Sequence, residues 1–185
     1  LSNEPLPSLE EELSNPRASG GREVKITVGR EPGSEVLYSG GGYLLLQLVV
    51  EEVSAVEFTD YVTQVVLDPV AMDRSTYEFL GDQINASPSF NIDGSLAPTY
   101  QYASAAATAF ASSAADLRNL VVMLLDGKRF PLQQEVVASM REPQGFMLGS
   151  GIWGLGTMLY VQTHNGDFVF GHAGAHAPAV QTDVR

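Results

Sequence analysis

The chain has 185 residues, 44% hydrophobic and 17% charged, which is the make-up of a folded domain and not of a disordered segment. With 22 acidic against 10 basic residues its net charge is -12, a field that repels phosphate backbones and anionic membrane surfaces and so argues against nucleic acid as a partner. The absence of cysteine excludes disulfide scaffolds, zinc–thiolate sites and thiol nucleophiles. The longest apolar run, residues 44–50, is broken by Gln47 and falls well short of the roughly 20 residues of a membrane helix, so no transmembrane segment is expected.

Residues 1–21 hold three prolines, the run Glu10-Glu11-Glu12 and the pair Gly20-Gly21, and read as a polar surface segment with one short helix at most. Opening on Leu1, the segment reads as a cut or processed end, so the missing signal sequence decides nothing. Residues 24–28 alternate Val, Lys, Ile, Thr, Val, the period of a strand. Glu31-Pro32-Gly33-Ser34 is a turn, because Pro presets φ and Gly tolerates positive φ.

A helix is predicted over residues 43–53, with Leu44, Leu45, Leu48 and Val49 as its apolar stripe and Gly40, Gly41 and Gly42 at its mouth. Ser54 and Glu57 have capping-box spacing ahead of Phe58, Tyr61, Val62 and Val65, so a second helix follows and ends at Asp68-Pro69. Residues 80–110 show no clean period and read as a long loop. Ser113 and Asp116 repeat the capping spacing before Leu117, Leu120, Val121 and Leu124, with Gly127 as the stop. Residues 133–140 are expected to form one more short helix.

The pattern changes after Gly151. Trp153, Leu155, Thr157, Leu159 and Val161 alternate as one face of a strand. Asn165-Gly166 signals a type I′ hairpin, with positive φ at both centres, and a two-residue loop there sets His172 opposite Leu159. Residues 168–172 form the returning strand, and residues 179–184 begin a third. The reading is an α+β chain: a mainly helical region over 1–150, then the start of an antiparallel sheet over 151–185, together one incomplete domain.

Few motifs survive a test of chemistry. Gly149-Ser150-Gly151-Ile152-Trp153-Gly154 fits G-x-G-x-x-G, but a strand follows it where a dinucleotide site needs a helix. Ser39 and Ser150 fail the G-x-S-x-G test because Leu37 and Leu148 stand in the glycine positions. His172 and His176 are four apart, but Pro178 and the nearby glycine argue against a helix, and no carboxylate cluster joins them, so no metal is expected. What remains is Tyr38-Ser39-Gly40 early and His172-Ala173-Gly174 late. A lone tyrosine before a helix is more often a core residue with its hydroxyl satisfied than a catalyst.

The order of small motifs is more specific than any one of them. Pro32-Gly33-Ser34, Tyr38-Ser39, Gly42-Tyr43-Leu44-Leu45, Glu52-Val53-Ser54, Phe58, Tyr61-Val62, Leu67-Asp68-Pro69 up to Met72, Ala111-Ser112, Asp116-Leu117 and Trp153-Gly154-Leu155-Gly156 occur in sequence. The run resembles class C β-lactamases and their esterase and D-alanyl-D-alanine carboxypeptidase relatives, over most of residues 31–185. That resemblance implies a β-lactamase/penicillin-binding-protein-like fold and a serine hydrolase working through an acyl-enzyme on ester, amide or β-lactam bonds. It implies no cofactor, and it leaves open a periplasmic, secreted or cytoplasmic location and the oligomeric state.

In the family a Ser-x-x-Lys supplies the nucleophile and a tyrosine moves its proton; here that role falls on Tyr38, with Ser39 and Gly40 as motif neighbours. The family's Lys-Thr-Gly or His-x-Gly maps onto His172-Ala173-Gly174. His172 would polarise or anchor substrate, and beside Gly174 the Ala175 N–H would give half of an oxyanion hole. Two positions depart from the pattern. Gly40 stands where the tyrosine motif normally ends in Asn, which leans away from efficient β-lactam turnover. Lys25 and Lys128 are preceded at minus three by Arg22 and Leu125, so no Ser-x-x-Lys occurs here. The chain is therefore expected to be the middle of a longer hydrolase, inactive alone, with the closing strands and final helix of the sheet outside it. The alternative is a non-catalytic, penicillin-binding-like module that holds a peptide or cell-wall-type ligand.

Overall fold

A computed structural model describes residues 6–16, 23–78, 85–98, 101–126, 133–147, 151–176 and 180–185. Helix α1 (Leu9–Ser14) opens with a reciprocal cap: the Ser8 hydroxyl accepts the Glu11 N–H, and the Ser8 N–H donates to the Glu11 carboxylate at 2.8 Å. Residues 24–28 do not form the expected strand. Val24 donates its N–H to the Pro16 carbonyl, and Ile26 lies against Gly41, where a Cβ would stand 3.0 Å from the Ile26 side chain. Of the alternating apolar residues, Ile26 packs on a helix while Val28 is exposed. The turn at residues 31–34 is present, with Gly33 at φ 81 and the Ser34 N–H bonded to the Glu31 carbonyl at 3.1 Å.

Helix α2 (Gly40–Ser54) starts three residues earlier than predicted, because Ser39 is its cap: the Ser39 hydroxyl accepts the Gly42 N–H at 3.0 Å. Its buried face also differs from the predicted stripe. Leu44 and Gln47 are buried, while Leu45 and Val49 are exposed. Gln47 tolerates burial because both ends of its amide are satisfied. Its oxygen accepts the Ala106 N–H at 3.1 Å, at the start of α4 (Ala105–Thr108), and its nitrogen donates to the Glu51 carboxylate at 3.2 Å.

The same Glu51 carboxylate accepts the Phe58 N–H, opening α3 (Phe58–Val62). The predicted Ser54–Glu57 capping box is not formed. Ser54 still belongs to α2 and donates its hydroxyl to the Val50 carbonyl, and Glu57 makes no side-chain cap. The second helix continues as a π turn over Thr63–Leu67, where the Asp68 N–H reaches back to the Thr63 carbonyl at 2.9 Å.

Helix α5 (Ala114–Asp126) is capped by Ser113, whose hydroxyl accepts the Asp116 N–H at 3.2 Å; Gly127, its expected stop, lies outside the described residues. The Asp116 side chain faces inward instead of completing a box. It is buried and accepts the Ser75 hydroxyl at 2.7 Å and the Arg74 N–H at 2.8 Å, tying residues 74–75 to α5. Helix α6 (Gln134–Arg141) forms where the short helix was expected.

Five strands follow: β1 (Gly145–Met147), β2 (Gly151–Trp153), β3 (Met158–Gln162), β4 (Phe168–His176) and β5 (Val180–Val184), antiparallel in the order β1-β2-β3-β4-β5. The single strand predicted through Trp153 and Val161 is two, because the chain reverses at residues 154–157, with Gly156 at φ 78. In the β3–β4 turn Gly166 takes positive φ (89) while His164 and Asn165 do not, and the Gly166 N–H meets the Thr163 carbonyl. This is a type I turn closed by a glycine bulge, not the type I′ turn predicted. A further irregularity between Leu159 and Val161 shifts the register, so Leu159 faces Phe170 and not His172.

The core has two clusters, and α5 serves both. Leu67, Val70, Met72 and Met123 form one, with Leu117 and Leu120 beside them; Leu124, Val137, Leu159 and Phe170 form the other, again touched by Leu120. Helices and sheet are thus packed through one amphipathic helix into an α+β fold.

Hydrogen bonds to the carboxylate, chiefly from the Ser75 hydroxyl and then from the Arg74 N–H and Ser113, hold Asp116 below the usual carboxylate range against the opposing pull of burial. With the folded pKa below the unfolded one, the stabilisation is whole above the ordinary Asp value of about 3.9 and fades as pH falls through the lowered folded value. Urea midpoints measured from neutral to acid pH are expected to fall on acidification in the wild type. Asp116→Asn is expected to start lower and to show a shallower acid limb; parallel curves would remove Asp116 from the account.

Candidate active site

Residues 35–39 join the turn at 31–34 to α2 without helix or strand, Ser39 itself being extended. Their path is set by contact with the sheet: Val36 sits where a Cβ on Gly145 of β1 would stand, so only glycine fits there. One residue beyond Leu37, Tyr38 is 65% exposed. It is not the core tyrosine that its position before a helix favours. That description belongs to Tyr77, packed between Phe58 and Phe110 at 5.6 and 5.1 Å, its hydroxyl pKa pushed up by burial.

The Tyr38 ring meets two side chains from the far end of the chain. His172 of β4 lies 6.1 Å away between ring centroids, and Trp153 at the end of β2 lies 5.7 Å away. Trp153 and His172 close the triangle edge to face at 5.9 Å. The fold therefore brings together the two residues singled out at opposite ends of the sequence.

His172-Ala173-Gly174 lies within β4, which runs on to His176, and not at a strand end. His172 pairs with Val184, Ala173 with Asp183, Gly174 with Thr182 and Ala175 with Gln181. A side chain at Gly174 would meet the Thr182 hydroxyl at 2.8 Å and would have to displace it. On the other flank β3 reaches only to Met158, opposite Gly171. Residues 172–176 consequently have a strand partner on one side alone among the described residues. Ser39 and Gly40 stay with Tyr38 as the cap and first residue of α2, and a Cβ at Gly40 would meet nothing within 4 Å.

The sequence assigns Trp153 to a strand and to the ordered family run, but gives it no part in the site. The signal for more was the quartet Trp153-Gly154-Leu155-Gly156, whose local purpose is visible here. Residues 154–157 cap the end of α6: the Leu155 N–H donates to the Ser139 carbonyl at 2.8 Å, and the Thr157 hydroxyl donates to the Met140 carbonyl. Gly154 lies so close to that carbonyl that a Cβ would stand 2.8 Å from its carbon and 2.9 Å from the Thr157 hydroxyl. Of the G-x-G-x-x-G spacing, Gly154 serves this strand turn; residues 149–150 lie outside the described residues. No group of three or more His, Asp or Glu side chains among the described residues is placed to hold a metal ion.

The family model described as Beta-lactamase matches residues 25–183. The chain belongs to the β-lactamase family. The family is one of serine hydrolases, and solved structures similar to this chain carry the same fold. One is the octameric penicillin-binding protein homologue from Pyrococcus abyssi, 24% identical over 80% of this chain and 35% of that one, with a TM-score of 0.62. A second is the D-stereospecific amidohydrolase from a Streptomyces species, 22% identical over 83% and 47%, with a TM-score of 0.65. A third is the D-amino acid amidase from Ochrobactrum anthropi SV3 complexed with D-phenylalanine, 20% identical over 80% and 47%, with a TM-score of 0.63. The chain thus spans less than half the length of each. No curated protein matches it. Among the described residues no helix is long and apolar enough to cross a membrane.

Within this β-lactamase-family chain, two glycines near the site are expected to respond oppositely to substitution. Gly154→Ala forces the loop off α6 and is expected to cost about 1–3 kcal/mol. Gly40→Ala, pointing into open space, is expected to stay within about 0.5 kcal/mol of wild type. Urea denaturation of the two variants checks both values.

Proposed function

We propose that this chain supplies the proton-transferring tyrosine and the substrate-facing strand of a serine hydrolase that acts through an acyl-enzyme on ester, amide or β-lactam bonds. Its nucleophile would be a Ser-x-x-Lys lying outside these 185 residues. The observation that carries the reading is the 6.1 Å approach of the Tyr38 and His172 rings from opposite ends of the sequence, with Tyr38 left exposed. A tyrosine held as the phenolate by an adjacent lysine ammonium can take the serine proton, become the phenol, and return that proton to the leaving group. His172, one residue beyond the Met158–Gly171 pair, would anchor the substrate. The Ala175 N–H then gives one oxyanion donor and the nucleophile's own N–H the other, where negative charge develops in the tetrahedral intermediate. Gly40 leaves room beside Tyr38 and no amide, which favours ester- or peptide-type substrates over efficient β-lactam turnover.

A second reading rests on the single-sided pairing of residues 172–176. A strand flank of this kind can take an extended peptide by main-chain hydrogen bonding without any chemistry, as a module for a peptide or cell-wall-type ligand.

Acylation separates the two. The parent protein carrying this chain is expected to be labelled by a fluorophosphonate or a labelled penicillin, and Tyr38→Phe to slow turnover of p-nitrophenyl butyrate by about 10²–10⁴-fold. A folded parent that takes no label favours the binding module. The 185-residue chain alone is expected to turn over neither p-nitrophenyl butyrate nor nitrocefin; turnover that disappears in Tyr38→Phe would mean that its nucleophile lies within this chain.

A further inference from the structure

We infer that Trp153 is a positioning residue, the strut that sets the separation of Tyr38 and His172; its meaning for catalysis rests on the hydrolase reading above. The three rings differ in how firmly their backbones are held. Trp153 pairs with Gly145 on one side and Met158 on the other, and its carbonyl accepts the Gln144 N–H at 2.7 Å. The next residue, Gly154, is pressed against the last turn of α6, and residues 155 and 157 are hydrogen-bonded to that turn. Tyr38 stands on an irregular segment outside the sheet, held by Val36 against Gly145 and by the Ser39 cap. His172 has a fixed backbone in β4, but its nearest described ring neighbours are Trp153 and Tyr38. The rigid member therefore locates the other two, and the tyrosine, the most exposed and least anchored, depends on it most.

The indole N–H supports a role in shape and not in hydrogen bonding. It is buried and has no acceptor among the described residues, so the ring is held by packing alone. Replacement by phenylalanine removes no hydrogen bond and keeps a flat face, which makes Trp153→Phe a conservative test. Trp153 is also the single tryptophan of the chain, so its resonances are free of overlap.

Nuclear Overhauser spectra of the 185-residue chain test the strut directly. The wild type is expected to show Tyr38–His172 ring cross-peaks. Trp153→Ala is expected to lose them while keeping Leu159–Phe170 and Tyr77–Phe110 contacts as proof of fold, and Trp153→Phe to retain them. Persistence of the Tyr38–His172 cross-peaks in a folded Trp153→Ala chain overturns the proposal. Should that variant unfold, Trp153→Leu, which keeps apolar volume without a ring, decides by the same criterion. In the parent hydrolase, Trp153→Ala is expected to lower kcat by about 10²-fold with KM little changed, since small misplacements of reacting groups cost rates of that order. Trp153→Phe is expected to restore most of it; a fall in KM-dependent binding alone would also overturn the strut. If the parent proves non-catalytic, the spectra still stand or fall by themselves.

Discussion

The contact between Gly154 and the last turn of α6 is the joint on which this arrangement depends. A helix ends with carbonyls that have no partner of their own. Here the Ser139 and Met140 carbonyls are met by Leu155 and Thr157, and only a glycine at 154 lets the backbone come that close. One loop thereby completes α6, turns β2 into β3 and fixes Trp153 at the strand end. The second core cluster lies beneath the same joint, where Val137 of α6 packs on Leu159 and Phe170 of the sheet. The aromatic triangle is the outward end of that construction.

The helical half is tied together by different means. Two buried polar side chains, Gln47 and Asp116, each bond across long sequence distances. Gln47 joins α2 to the start of α4 and, through Glu51, to the start of α3. Asp116 holds residues 74–75 against α5, whose opposite flank meets the sheet cluster. Satisfied polar groups of this kind contribute directionality that apolar packing lacks, and they carry α2, and with it the Ser39 cap beside Tyr38, into a fixed place relative to the sheet.

Local chemistry was the legible part of the sequence. Pro32-Gly33, the Ser113 cap, the helix over residues 133–140 and the helix-then-sheet order were readable because each depends on neighbours a few residues away. What depended on distant partners was not. The buried face of α2 includes Gln47, and no pattern of apolar residues announces a glutamine whose partner is Ala106. The alternation from Trp153 to Val161 looked like one strand, since nothing local showed that Gly154 would be captured by α6. The hairpin at Asn165-Gly166 took a bulged type I turn, and the register slip moved His172 away from Leu159. Tyr38 and His172 were singled out through the ordered run of family motifs and not through composition or spacing, and Trp153 escaped because its ring contacts cross the molecule.

The central claim is that Tyr38 serves a reacting serine at the flank of β4. The most direct measurement is a crystal structure of the parent protein trapped as a slow acyl-enzyme. The account predicts the Tyr38 hydroxyl within hydrogen-bonding distance of the acylated serine oxygen and the acyl carbonyl oxygen on the Ala175 N–H. An acyl group bound elsewhere, or a Tyr38 ring that faces away from the ester, would contradict it.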